Sequence, residues 1–186
     1  DLTARNDWAS TLAYTSHEKS GFFYPSAGLS FLIDKWIQLP EWISFAKLRG
    51  TYSKVGNDIP QFITNSVSHI TAGGELQAND AAPFKEMEPE MTHSVEVGTE
   101  WRFFQSRLGF NLTYYRTNTH NQFFKLPALA GDMYAYRYVN AGDIQNRGWE
   151  LTVDATPVLT PDFTWKTSLN FSSNRNKIKE LHEQLK

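Results

Sequence analysis

The sequence predicts an all-β chain, an antiparallel up-and-down meander of about seven strands that forms part of a transmembrane β-barrel. Three observations support this prediction. Apolar and polar residues alternate with a period of two, short and long connections follow each other in turn, and aromatic residues collect at the ends of the alternating stretches. All three are typical of barrels whose strands have one lipid-facing and one water-facing side.

The alternation is clearest from residue 107 to residue 117. Its apolar positions are Leu108, Phe110, Leu112 and Tyr114, and small or polar residues stand between them. The same period predicts further strands over 24–33, 45–55, 93–104, 147–157 and 163–173. We expect the strands from residue 93 onward to pair with one another in sequence order.

The connections between these strands alternate in length. Tight links near 105–106 and 159–161, and a somewhat longer one at 34–42, are interleaved with long links at 57–92 and 119–145. In a transmembrane barrel the tight turns face the periplasm and the long loops face outward. We expect the segment 56–92, which is rich in turn-forming residues, to be the most mobile part of the chain.

The aromatic residues predict two girdles, one at each boundary of the membrane. Beside the short links stand Trp36, Trp42, Trp101, Phe103, Phe104, Phe163 and Trp165, and beside the long links stand Tyr114, Tyr115 and Trp149. Alternation alone leaves two other folds open. One is a soluble β-sandwich that binds carbohydrate, and the other is a small closed barrel that is complete in itself.

The composition and motifs exclude several functions. With 18 Lys and Arg against 20 Asp and Glu, the chain lacks the clustered basic excess of a nucleic-acid-binding surface. It has no cysteine, its 5 histidines are scattered, and it has no nucleophile elbow, phosphate-binding loop or zinc-binding helix motif. We therefore predict no enzymatic activity, no catalytic residue, no cofactor and no metal site. No apolar run approaches the roughly 20 residues of a membrane-spanning helix, and no signal peptide is visible.

Two sets of residues are candidates for ligand contacts. The polar faces of the strands carry the candidate lumen-facing charges Lys47, Arg49, Glu96, Glu100, Arg102, Glu150, Asp154 and Lys166. Such charges either compensate each other on neighbouring strands, which is the commoner role, or contact a substrate or plug. The long link carries the candidate stacking residues Phe123, Phe124, Tyr134, Tyr136 and Tyr138. They either stack on sugar rings or, more commonly, pack within the loop.

Several short motifs carry a family resemblance. In chain order they are Ala4-Arg5-Asn6-Asp7-Trp8, Phe23-Tyr24-Pro25-Ser26, Pro40-Glu41-Trp42-Ile43-Ser44-Phe45, Lys47-Leu48-Arg49, Val55-Gly56-Asn57-Asp58, Glu96-Val97-Gly98, Arg107-Leu108-Gly109-Phe110, Thr113-Tyr114-Tyr115, Val139-Asn140-Ala141-Gly142, Ile144-Gln145-Asn146 and Gly148 with Glu150-Leu151. Their order and spacing, to about Lys179, resemble the SusC/RagA-like branch of the TonB-dependent outer-membrane receptors.

The resemblance implies a nutrient importer in the outer membrane of a Gram-negative cell, in contact with outer-membrane lipid. Such a receptor has a barrel of about 22 strands, a plug domain, a connection to the TonB complex and a SusD-like lipoprotein over its mouth. Its substrates are oligosaccharides or, less often, peptides. Residues 1–186 would then be part of one barrel domain, without the plug. The family has no catalytic residues, and its substrate contacts lie in variable loops and the plug, so the motifs assign none here.

Overall fold

The computed structural model describes residues 1–19, 21–60, 63–65, 67–140 and 142–180. Its regular structure is almost entirely β-strand. The strands are β1 Leu2–Asp7, β2 Phe22–Leu32, β3 Ile43–Asn57, β4 His69–Ile70, β5 Leu76–Gln77, β6 Glu90–Phe103, β7 Leu108–His120, β8 Phe123–Pro127, β9 Tyr136–Asn140, β10 Asp143–Leu159 and β11 Thr164–Glu180. Two short 3-10 helices, Ser10–Leu12 and Ile33–Lys35, interrupt the connections. Among the described residues, no helix is long and apolar enough to cross a membrane.

Seven strands form one sheet in the order β1-β2-β3-β6-β7-β10-β11, and the neighbours pair antiparallel. The pairs β4-β5 and β8-β9 form small separate hairpins within the long connections. The predicted sequence-order meander is confirmed, and the strands do not divide between two face-to-face sheets as a sandwich requires. Strands β3, β6, β7, β10 and β11 run for 13 to 17 residues, more than the roughly 9 to 11 that cross a bilayer.

The connections separate into two kinds at the two ends of the sheet. The short-link end holds residues 33–42, 104–107 and 160–163, and the long-link end holds residues 8–21, 58–89 and 121–142. One short link has a strained backbone, because Phe104, Gln105 and Ser106 have φ angles of 52°, 57° and 65°. These values lie in the left-handed region that residues other than glycine rarely adopt.

The register gives the sheet two chemically different faces. Thr99, Leu112, Leu151 and Phe171 lie side by side on β6, β7, β10 and β11, and this side is the apolar face. Its large side chains are exposed on interior strands too, with 54% of Val97 and 50% of Trp149 accessible. The opposite side is the polar face, where Thr113 lies between Gly98 and Glu150. A surface this apolar needs an apolar surrounding, which lipid supplies to a barrel.

Aromatic side chains group at both ends of the apolar face. At the short-link end the ring centroids of Trp42 and Phe103 lie 5.7 Å apart, and Phe103 is 6.0 Å from Phe110. At the long-link end Tyr114 and Trp149 are 4.7 Å apart. Tyr115 was predicted to join that girdle, and this was wrong. It is one residue from Tyr114 and therefore points to the polar face, where it lies over Gly148.

Candidate functional site

The polar face carries a network of side chains that is centred on Arg49 of β3. The Arg49 guanidinium lies 3.4 Å from a carboxylate oxygen of Glu96 on the neighbouring strand. It also donates a 2.7 Å hydrogen bond to the hydroxyl of Thr113, two strands away on β7. Thr113 is only 6% exposed. These contacts join β3, β6 and β7, and Glu150 of β10 stands directly opposite Thr113 and lines the same groove.

Gly98 explains how Arg49 reaches so far across the sheet. It pairs with both Arg49 and Thr113, so it lies directly beneath the guanidinium. A Cβ atom at this position would lie 2.7 Å from the Arg49 Nε. The missing side chain therefore gives the guanidinium a place to lie flat against β6, and the network depends on a glycine in the motif Glu96-Val97-Gly98.

A second charged group lies nearer the short-link end of the polar face. Arg102 donates to Glu100 at 2.8 Å, and its guanidinium carbon lies 5.8 Å from the centroid of the Phe45 ring. Lys47 stands opposite Glu100 in the register. Asp154 lines the same groove, which also contains Asn111. The ion pair joins two residues of the same strand, β6, and it gives only a modest gain in stability because the side chains are hydrated.

The structure places all eight predicted charges on the polar face. Arg49, Glu96 and Glu150 belong to the first group, whereas Lys47, Glu100, Arg102 and Asp154 belong to the second. Lys166 alternates with the apolar-face residues Trp165 and Thr167 on β11, apart from both groups. Whether this face lines a lumen stays a prediction.

The three long connections pack around a small hydrophobic core of their own. Leu12, Ile59, Ile63 and Met87 are buried there, each less than 9% exposed, and they come from two of the connections. The third connection contributes Phe123 and Tyr138, which pack against this core together with Ala9, Phe22 and Phe84. We call this assembly the loop body. The segment 56–92 therefore supplies buried residues to the loop body, and its predicted mobility stays a prediction.

Hydrogen bonds reinforce the loop body, and Asn140 is central to them. Its amide oxygen accepts from the backbone N–H of Glu88 at 2.9 Å, while its amide nitrogen donates to the carbonyls of Glu88 and Asn121. The donor distances are 2.9 and 2.7 Å. Asn140 thus joins two long connections through backbone atoms. It belongs to the motif Val139-Asn140-Ala141-Gly142, of which Ala141 lies outside the described residues.

The candidate stacking residues of the long link have different environments. Phe123 and Tyr138 pack into the loop body with ring centroids 6.4 Å apart, which is the structural role expected for most loop aromatics. Phe124 and Tyr134 are half-buried. Tyr136 is the most accessible member at 39%, and the Lys125 ammonium lies 4.1 Å from its ring centroid. Their contact with a ligand stays a prediction.

Sequence reasoning did not identify the buried residues of the loop body. Ile59, Ile63 and Met87 are irregularly spaced apolar residues in a stretch rich in turn formers, so no period revealed them. The only available signal was their apolar character. In the part of the chain that the structure describes, no group of three or more His, Cys, Asp or Glu side chains is placed to hold a metal ion. The absence of a metal remains a prediction.

Comparison with known proteins places these features in context. Residues 1–180 match the family model described as TonB dependent receptor-like, beta-barrel. The TonB-dependent receptor P26 of Formosa agariphila is 29% identical over 97% of this chain and 19% of its own length. The TonB-dependent receptor SusC of Bacteroides thetaiotaomicron is 25% identical over 94% of this chain and 19% of its own length. The chain therefore spans about a fifth of the length of these curated relatives.

Solved structures with the same fold include the RagAB peptide importer in its closed-closed state. The similarity has a TM-score of 0.81 at 23% identity, and it covers 97% of this chain and 20% of that one. At this level of identity the comparison supports the fold alone, and this chain covers about a fifth of that longer chain.

Proposed function

Because the chain belongs to the TonB-dependent receptor β-barrel family, we propose that it is part of an outer-membrane transporter that imports oligosaccharides or peptides. In this proposal the transporter acts with the TonB complex and with a SusD-like surface lipoprotein. The chain has a transport role and no catalytic one.

The observation that carries the proposal is the two-faced sheet with a loop body at one end. The apolar face is exposed over several strands, as a lipid-facing wall must be, and the polar face carries neutralised charge networks. The long connections all leave from the end opposite the short turns. In barrels of this class, that end faces outward, where a ligand arrives.

Import by such a wall consists of binding and gating, without covalent chemistry. The loop body supplies a shaped outer surface, and closure of a lipoprotein over it would enclose the ligand. The polar face then offers hydrated side chains along the path that opens when TonB pulls on the plug. Since Arg49 and Arg102 are each paired with a glutamate, the wall presents hydrogen-bonding groups with little uncompensated charge. Such a wall lets polar ligands pass without holding them tightly.

The substrate class rests on two lines of support. The family resemblance favours oligosaccharides, and a structural neighbour is described as a peptide importer. Both ligand types have exposed hydrogen-bonding groups and flat or ring-shaped surfaces that aromatic side chains such as Tyr136 can contact. Neither line distinguishes the two classes, so the experiment must compare them.

Uptake by whole cells tests the proposal. Cells that carry the full-length receptor and its lipoprotein would be supplied with labelled oligosaccharides or labelled peptides of graded length. We expect saturable uptake of one class, which a protonophore and deletion of TonB each abolish. Uptake that survives loss of TonB would contradict the proposed active transport, and absence of uptake for both classes would contradict the proposed substrates.

The partner is tested separately by isolation of the receptor. Affinity purification of the tagged full-length receptor from detergent-solubilised outer membranes should recover a lipoprotein in a one-to-one ratio. A receptor that purifies alone under conditions that preserve other outer-membrane complexes would contradict a stable SusD-like partner.

A further inference from the structure

The apolar face ends in a row of arginines at the long-link end. Arg116 of β7, Arg147 of β10 and Arg175 of β11 stand directly opposite one another on neighbouring strands. They lie on the same face as Tyr114 and Trp149, two residues further toward the long connections. All three side chains are exposed. We call this set the arginine row.

Further basic residues surround the arginine row. Lys54 and Lys177 lie on the same face, two residues further along their strands toward the long connections. Lys54 stands opposite His93, and Lys177 stands opposite Gln145. The acidic group in contact with this region is Asp143, which accepts from Asn118 at 3.1 Å and lies 3.8 Å from His120. Glu180 stands opposite Asp143 at the ends of the strands. Positive charge therefore predominates over the row itself.

The arrangement is unfavourable without an anion. Like charges directly opposite each other destabilise a sheet, and adjacent strands are only about 4.8 Å apart. Arg116 is held by Asn118 at 3.0 Å and lies 2.8 Å from the side-chain amide of Gln145. Arg147 and Arg175 have no hydrogen-bond or ion-pair partner among the described residues. Guanidinium groups in such a row fit the oxygens of phosphate, which bind two N–H donors of one arginine at once.

The position of the arginine row indicates that the phosphate belongs to a lipid headgroup. Tyr114 and Trp149 mark the boundary of the apolar band, where amphipathic rings are placed. Two further residues along a strand tilted by about 40° carry the arginines roughly 5 Å beyond that boundary. This is the level of the lipid headgroups, and the row faces outward from the barrel. We propose that the arginine row is a binding site for the phosphate groups of a lipid in the outer leaflet.

The inference rests on the outer-membrane setting of the proposed function, and it requires neither the proposed substrate nor the lipoprotein. It goes beyond transport, because it assigns a binding site for a phosphate-bearing lipid to the outer wall of this segment. Phosphate-bearing lipids would hold the ends of β7, β10 and β11 together just below the loop body. An anionic headgroup contributes favourable energy for each basic side chain that lies near it.

The test uses the full-length receptor purified in a non-ionic detergent, with native mass spectrometry to count bound lipid. The probes are bisphosphorylated lipid A, the same lipid after removal of its phosphates, and inorganic phosphate alone. The test variant replaces Arg116, Arg147 and Arg175 with Gln. A control variant removes three exposed cations elsewhere by Lys19→Gln, Lys35→Gln and Lys85→Gln.

We expect the arginine variant to bind bisphosphorylated lipid A at least tenfold more weakly than the wild type, and the lysine control to bind within twofold of it. Binding of the dephosphorylated lipid should be weak and equal in all three proteins. Equal affinity of the arginine variant and the wild type for bisphosphorylated lipid would overturn the proposal. So would displacement of the lipid by millimolar inorganic phosphate, because the site would then recognise the free anion.

A stability measurement keeps the proposal testable if the triple variant folds poorly. Arg147→Gln removes the central charge of the row and with it the repulsion from both neighbours. In phosphate-free detergent this variant should melt at a higher temperature than the wild type. In the presence of bisphosphorylated lipid A the order should reverse. A variant that is less stable under both conditions would show that Arg147 has a structural role only, and would contradict the lipid site. If the melting order reverses as expected but the receptor takes up neither substrate class, the proposed substrate is contradicted and the lipid site is not.

Discussion

Replacement of Leu112 by arginine tests whether the apolar face meets lipid. Leu112 lies between Thr99 and Leu151 in the register, two residues from Tyr114 and four from Leu108. With a rise of about 3.4 Å per residue and a tilt of about 40°, it lies roughly 5 Å inside the outer aromatic boundary. Arginine at the centre of a lipid-facing strand costs about 2 to 4 kcal/mol and less near the boundary, so we expect about 2 to 3 kcal/mol for Leu112→Arg.

The matched control is Asn111→Arg, on the same strand but on the polar face. Asn111 stands opposite Glu100 and Thr152. An arginine there remains hydrated and gains a carboxylate neighbour, so we expect a change within about 1 kcal/mol. Thr113 is unsuitable as a control because it is buried and accepts the hydrogen bond from Arg49.

The assay is reversible unfolding of the full-length receptor in lipid vesicles by guanidinium chloride, followed by tryptophan fluorescence. The free energies of unfolding of the two variants are compared with that of the wild type. Similar losses for Leu112→Arg and Asn111→Arg would refute the assignment of the two faces. Leu112→Phe adds a further check, because lipid accepts a larger ring, whereas a packed core would resist it by about 1 to 3 kcal/mol.

Three further predictions concern the loop body, the polar face and one turn. Asn140→Asp should lower the free energy of unfolding by about 2 kcal/mol, because it loses two donated hydrogen bonds and places a carboxylate against two carbonyl oxygens. The control Asn65→Asp, at an exposed position, should change little in the same chemical denaturation assay. Gly98→Ala should displace Arg49 from Thr113 and lower the free energy of unfolding by less than about 1 kcal/mol, and the uptake assay should show a shift in substrate KM, whereas an unchanged KM would contradict a role of this network in transport. Gln105→Gly should raise the melting temperature, since glycine removes up to about 1 to 2 kcal/mol of left-handed backbone strain, and an unchanged or lower melting temperature would contradict the strain.

The sheet could be predicted from the sequence wherever one face is strongly apolar. Strands β7, β10 and β11 each alternate over ten residues or more, and their pairing was predicted from that alternation and the tight links. Strand β1 was not predicted individually, because Leu2 and Ala4 are its only apolar residues and no period emerges from them. Pairing with β2 forms this strand, and that information is not local.

The site was predictable only in part, for a related reason. Alternation placed the charged residues on one face. The reach of Arg49 to Thr113 depends on the missing side chain at Gly98 and on the register of two strand pairs, β3-β6 and β6-β7, which the sequence does not state. The ends of the strands were also set too short. β10 begins at Asp143 and β11 continues to Glu180, beyond the predicted bounds at 147 and 173, through stretches in which polar residues such as Asn146 and Arg175 break the apolar period.

The shared core of the long connections restricts how receptors of this kind can change their ligand. Each connection fills space that the others leave, so a new sequence in one of them would create a cavity or a clash in its neighbours. Exchange of residues 58–89 alone between two receptors should therefore give unstable chimaeras. Transfer of 8–21, 58–89 and 121–142 as one set would keep the contacts within it. We therefore expect such a surface to diversify by coordinated replacement of whole loop sets, and we expect single-loop grafting to be a poor engineering route to new specificity.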